Sequence, residues 1–404
     1  MAKKTKKRKK WRKWWHAVVR NIASFVLHPF IVLKYHAKID KFKEQGDRQY
    51  LIISNHQTAF DQFMLGSSFR GAIYYLASED IFSKGFISKL LKFLVAPIPI
   101  KKSTTDVSAV MNCIRVAREG GTIAIFPEGN RTFSGETGYI KEAIPALAKA
   151  LKLPLVIYRI EGGYGVQPRW SDVTRGGKIH CYVKEVIEPE RLSELSNEEL
   201  YQVICDGLYV NEGCDSGLFP SKRSAEYIER AMYYCNDCGI SEFESHGDTV
   251  ECKRCGKKIK YLDNKRLVGV GFDFPYSYVV DWYRAQSDYV LSCELDKDKM
   301  ICSDEAKFFE VIPYKHKKII DKSATISLYP DKYVIGELVL PFSDISSVGV
   351  LGRNKLDIYV DKTIYQIKSH KRFCALKYMN IYYKWQAEQE KASSVDGKKA
   401  FLGM

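Results

Sequence analysis

Tyr50-Leu-Ile-Ile-Ser-Asn-His-Gln-Thr-Ala-Phe-Asp61 decides the reading of this chain: an apolar run ends in a histidine, and an aspartate follows five positions on. The run from Tyr50 to Ser54 is short and bounded by polar residues, the pattern of a buried strand. A second run, Thr122-Ile-Ala-Ile-Phe126, ends about seventy residues later in Pro127-Glu-Gly-Asn-Arg-Thr132. Three more β-rich runs lie at 72–76, 153–158 and 179–183, and amphipathic segments at 60–70, 81–94, 106–119 and 140–151 alternate with them. That alternation predicts an α/β domain over 46–215, with a mixed, mostly parallel sheet and crossover helices. Parallel crossovers bring strand ends to one edge, so the His56 and Arg131 loops are expected to face each other.

Each loop carries a chemical possibility. A neutral imidazole can take a hydroxyl proton near pH 7, and a carboxylate on its other ring nitrogen fixes the tautomer and stabilises the imidazolium. His56 and Asp61 suit those roles if the substrate supplies the hydroxyl, so that no nucleophilic serine or cysteine is needed. Gly129 allows close backbone approach, and the Arg131 guanidinium is a bidentate donor matched to phosphate oxygens.

The two loops together resemble the glycerophospholipid acyltransferase superfamily, which includes bacterial 1-acylglycerol-3-phosphate acyltransferases. His56 and Asp61 match its HxxxxD motif, and Phe126, Pro127, Glu128, Gly129 and Arg131 match its FPEGxRS block, with Thr132 at the serine position. The resemblance covers roughly residues 20–210. It implies that His56 is a general base oriented by Asp61, and that Glu128, Gly129 and Arg131 bind the acceptor phosphate. Where the family carries an intervening phosphate-binding arginine, this chain offers Lys101 or Lys102. The implied activity moves a fatty acyl group from acyl-CoA or acyl carrier protein to a lysophospholipid, most simply 1-acylglycerol-3-phosphate, without a catalytic metal.

The net charge of +15 is unevenly placed: residues 3–13 hold nine lysines or arginines and no acid. Trp11, Trp14 and Trp15 accompany this arm, and the apolar stretch from Ala17 to Tyr35 is interrupted by Arg20, Asn21, His28 and Pro29. Residues 1–45 are therefore expected to form a basic arm and interfacial helices on an anionic membrane surface, monotopic or peripheral, rather than a clean membrane span. No small-residue cleavage site follows that would suit a secretory signal. Seven cysteines lie dispersed without a disulfide framework, which points to a reducing compartment and the cytoplasmic membrane face.

The other four read Cys235-Asn-Asp-Cys238 and Cys252-Lys-Arg-Cys255, thirteen residues apart. Two such knuckles supply four thiolates to a structural zinc, and predict a zinc ribbon over 230–265. Its lysines would also suit nucleic acid, but no base-stacking platform accompanies them, and the tryptophans of the arm sit better with membrane. From 300 to 392, several short strands and a terminal helix predict a small β-rich module resembling pleckstrin-homology or GRAM domains. Residues 263–300 read as a connection. A non-catalytic lipid-binding adaptor on an acyltransferase scaffold is the second functional reading.

Overall fold

A computed structural model of the protein describes residues 10–78, 81–82, 85–100, 106–312 and 317–393. Most of the basic arm and the Lys101–Lys102 pair lie outside these residues.

Seven strands make the first sheet: β1 (Ala37–Ile39), β2 (Leu51–Ser54), β3 (Ile73–Ser78), β4 (Ile98–Ile100), β5 (Thr122–Ile125), β6 (Leu155–Glu161) and β7 (Ile179–Ile187). Their order is β1-β7-β6-β2-β5-β3-β4, and every pairing is parallel except β6 with β7. The sheet is thus mixed and mostly parallel, as expected. All four residues of β2 and of β5 are buried, the signature of strands covered on both faces. Helices α2 (Asp61–Ser68), α3 (Phe86–Leu94), α4 (Val107–Arg118), α5 (Ile144–Leu151), the short turns α6 (Gly163–Val166) and α7 (Pro189–Glu194), and α8 (Asn197–Leu208) connect the strands and cover them. A capping box between Ser196 and Glu199 starts α8.

Two expectations need correction at the N-terminal end. The sheet begins before residue 46, since β1 pairs with β7. The interrupted stretch is one continuous helix, α1 (Trp14–Tyr35), which by length and composition is long and apolar enough to cross a membrane. One of its interrupting residues is held by tertiary contacts: Arg20 Nη2 donates to the carbonyls of Gly66, at 2.6 Å, and of Phe69. The helix nevertheless packs on the domain, with Ile31 and Tyr35 buried.

The cysteine segment forms two small sheets, β8 (Tyr234–Cys235) with β9 (Gly239–Ile240), and β10 (Phe243–His246), β11 (Thr249–Cys252), β12 (Lys258–Tyr261) and β13 (Leu267–Gly269) as a meander. The stretch read as a connection holds a further helix, α9 (Val279–Ser292). Its Gln286 accepts from Tyr233 N and donates to Ala231 O, and its Trp282 Nε1 donates to Tyr234 O. The last sheet has seven antiparallel strands, β14 (Cys302–Glu310), β15 (Lys318–Leu328), β16 (Lys332–Ile335), β17 (Leu338–Pro341), β18 (Ser347–Leu351), β19 (Lys355–Val360) and β20 (Thr363–Ser369), followed by α10 (Ala375–Ser393). The apparent single strand from Tyr333 to Leu340 is two strands folded back at Gly336, whose φ of +58° suits glycine. One apolar core joins the cysteine segment, α9 and this sheet, and also takes in Phe133 and Trp170 from the first domain.

Candidate functional site

β2 delivers His56 from the middle of the first sheet, and the buried side chain of Asn55 holds the strand end to β6. Its amide donates to Ile160 O at 2.8 Å and its carbonyl accepts from Ile160 N at 2.9 Å, filling the ladder position that the departing chain leaves open.

The loop closes on Asp61, the first residue of α2. One carboxylate oxygen takes His56 Nδ1 at 2.8 Å and the amides of Gln57 at 2.6 Å and Thr58 at 2.9 Å. The other accepts the Thr58 amide at 2.9 Å and its hydroxyl at 2.6 Å. With both oxygens accepting from these donors, the carboxylate fixes Nδ1 of His56 as the protonated ring nitrogen. Nε2 is then left as the basic atom of an imidazole that lines the cavity described below. Burial pushes the His56 pKa below its ordinary value, the Asp61 interaction pulls it back up, and Arg131 and Arg169 lower it further. Phe126 stacks on the ring at 4.4 Å between centroids.

The second loop faces the first, as the topology predicted. Gly129, at φ +69°, makes the turn after β5 and lines the cavity. Arg131 lines it too; its Nη1 is buried and has no hydrogen-bond partner. Burial and repulsion from Arg353 push its pKa down to about 10, while Asp61 and Tyr35 draw it up. Glu128, which the resemblance places at the acceptor phosphate, lies between the two loops. Its carboxylate accepts the amide of His56 at 2.7 Å and that of Gly138 at 2.8 Å, so both oxygens brace the backbone between the loops. Burial pushes its pKa up to about 8 against the opposing pull of those two amides. Lys101 lies outside the described residues.

Both loops open onto a cavity of about 960 Å³. From His56 and Arg131 it runs along apolar side chains that include Phe63, Ile73, Leu76, Leu91, Val95 and Val110. One end is therefore cationic and carries the base, while the body suits an alkyl chain. Sequence reasoning missed Arg169, which is buried beside Arg131 and also lines the cavity. Its position between Pro168 and Trp170 carries no motif that would have singled it out.

A second cluster stands apart. The Sγ atoms of Cys235, Cys238, Cys252 and Cys255 all lie within 4.8 Å of one another, and those of Cys235 and Cys255 are 3.7 Å apart. Zinc–thiolate bonds of about 2.3 Å place tetrahedral ligands about 3.8 Å apart, so four sulfurs at this spacing fit the ion. The surrounding lysines are paired with acids, Lys253 with Glu244, Lys257 with Asp237, Lys258 with Glu251 and Lys260 with Asp248.

Residues 34–160 match the family model described as Acyltransferase. The chain is similar to the chloroplastic 1-acyl-sn-glycerol-3-phosphate acyltransferase LPAT1 of Arabidopsis thaliana, at 23% identity over 46% of this chain and 52% of that protein. It is also similar to the 1-acyl-sn-glycerol-3-phosphate acyltransferases of Borreliella burgdorferi, 26% identical over 39% of this chain and 63% of that protein, and of Bacillus subtilis, 24% identical over 40% and 79%. The chain spans about half the length of the Arabidopsis relative. Among solved structures, the crystal structure of the 1-acyl-sn-glycerophosphate acyltransferase PlsC from Thermotoga maritima aligns at 22% identity and a TM-score of 0.40, over 47% of this chain and 76% of that one.

Proposed function

We propose that this chain is an O-acyltransferase that uses His56 to move a fatty acyl group from a thioester carrier to the hydroxyl of a phosphate-bearing lysolipid, 1-acylglycerol-3-phosphate being the simplest acceptor. The observation that carries the reading is the His56–Asp61 pair at the cationic end of an apolar cavity, beside an Arg131 guanidinium with a buried, unpartnered nitrogen.

In this mechanism Nε2 of His56 takes the acceptor hydroxyl proton as that oxygen bonds to the thioester carbonyl carbon. The tetrahedral intermediate then expels the thiolate, which collects the proton from the imidazolium. Asp61 stabilises the transient cation and keeps the ring in register, and general-base assistance of this kind contributes about 10²–10⁴-fold. Arg131 holds the acceptor phosphate, so the hydroxyl reaches the base at a fixed distance. The donor is acyl-CoA or acyl carrier protein.

Two helices support a reading of membrane attachment. α1 exposes Trp14, Ile22, Phe25, Val26 and Leu33, and α3 exposes Phe86, Ile87, Leu90 and Phe93, with Trp15 and Phe93 stacked between the helices. A shared apolar surface of this size beside the cavity suits a lipid interface where both lysolipid and product reside. All eleven cysteines are free, which suits the cytoplasmic face. The four clustered cysteines are proposed to hold a structural zinc, which contributes folding energy and takes no part in the reaction. The final sheet and helix are proposed as a pleckstrin-homology-like module.

Labelled acyl-CoA and acyl carrier protein should each be incubated with the chain against a panel of lysolipids and glycerol phosphate, with His56→Ala alongside. Acylated phospholipid formed by the wild type and lost in the variant supports the reading. No turnover with any pair leaves the non-catalytic adaptor as the better account.

A further inference from the structure

The cavity beside His56 is not closed by the first domain alone. Leu351, the last residue of β18, and Gly352, in the turn that leads to β19, line it together with Arg131 and Arg169. Arg169 ties these parts with one guanidinium: Nε donates to Gly352 O at 2.8 Å, Nη2 to Val350 O at 2.6 Å and Nη1 to Arg131 O at 2.7 Å. Phe133 packs against the same guanidinium, 4.0 Å from its ring centroid. On the next residue of the turn, Arg353 Nε donates to Ser171 O at 2.9 Å and pairs with Asp172. A turn about 180 residues from Arg169 in sequence is thereby fastened, through that side chain, to the loop that carries Arg131.

The charges at this junction are unbalanced. Arg169 donates to three carbonyls and no carboxylate, and Nη1 of Arg131 has no partner. Asp61 attracts Arg131, but its oxygens already serve His56, Gln57 and Thr58. Two buried guanidiniums that repel each other are costly unless an anion joins them, and a phosphomonoester carries the charge and the oxygens to do so. Gly352 stands beside them at φ +66°, with open space where a Cβ would lie.

We propose that the β18–β19 turn is a wall of the acceptor's phosphate pocket, held there by Arg169 as a positioning residue, so that the C-terminal module helps to select a compact phosphomonoester headgroup. This rests on the acyltransferase reading above and deepens it.

The test places charge on that wall. Asp and Asn both tolerate a left-handed backbone and differ little in size, so Gly352→Asp and Gly352→Asn separate charge from bulk. Initial rates with 1-acylglycerol-3-phosphate in mixed micelles, and binding of the same lipid followed by tryptophan fluorescence, are measured on the full chain. The expected result is an acceptor KM raised about tenfold or more by Asp, a clearly smaller rise with Asn, and a donor KM within about twofold of wild type, because like charge opposes only the phosphate. Equal acceptor KM values for the two variants, or a donor KM that moves in step, would overturn the proposal and leave the proposed function intact. A wild type that transfers no acyl group but binds the lipid, with binding weakened by Asp more than by Asn, would overturn the proposed function and keep the wall. Absence of both transfer and binding would overturn the two together.

Discussion

Glu128 holds the backbone of His56 in place, accepting its amide at 2.7 Å through Oε1 while Oε2 accepts that of Gly138. Glu128→Ala removes the acceptor from two part-buried amides, at about 1 kcal/mol each. A lower melting temperature and a fall in kcat that exceeds any rise in acceptor KM are expected, with Glu128→Gln intermediate. A change confined to acceptor KM would instead place the carboxylate on the substrate.

His56 should set the acid limb of the reaction. Burial lowers its pKa, so the basic form dominates at neutrality, and protonation on the way down removes activity. The kcat/KM profile is therefore expected to be full at pH 7 and to fall with a midpoint below the ordinary histidine value of about 6.5. A midpoint above that value would contradict this assignment.

Arg131 offers a geometric test of phosphate binding. Arg131→Lys keeps a charge but loses the fork, and should raise acceptor KM about tenfold, with Arg131→Ala costing about tenfold more. Donor KM should hold nearly constant; a donor effect of equal size would move Arg131 to the carrier.

The cysteine cluster predicts metal in the purified chain. Elemental analysis should find zinc bound at four cysteines, and chelation should lower the melting temperature of the core that Cys235 and Cys252 share with the last sheet. Protein that is fully folded and free of metal would remove zinc from the account.

Phe25 and Phe86 lie on the two exposed apolar helix faces, at 83% and 74% exposure. Phe25→Asp with Phe86→Asp should reduce co-flotation with anionic vesicles several-fold while leaving the circular dichroism spectrum unchanged. Undiminished flotation would show that this surface does not meet the bilayer.

Legibility in the sequence tracked contact range. The strands at Leu51–Ser54 and Thr122–Ile125, and the paired loops they feed, announce themselves in local patterns that a parallel sheet then brings together. Glu128 sat inside a recognisable block, yet its role as a brace depends on which way its carboxylate turns, which no spacing encodes. α9 escaped notice because its buried face interrupts Val279, Val280 and Val290 with Trp282, Tyr283 and the polar Gln286, which blurs the apolar period. Arg169 was invisible for a stronger reason: its partners Val350 and Gly352 lie in another sheet, and only tertiary packing unites them.

That union divides the site between two cores. His56 hangs from β2, paired on both sides inside the first sheet, whereas Gly352 belongs to a sheet whose core lies chiefly with the cysteine segment and α9. The two halves need not melt together. Partial opening of the C-terminal half would leave the base intact and admit bulk water in place of the alcohol, so that heat damage would first appear as spilled thioester, a slow hydrolase left behind by a failing transferase.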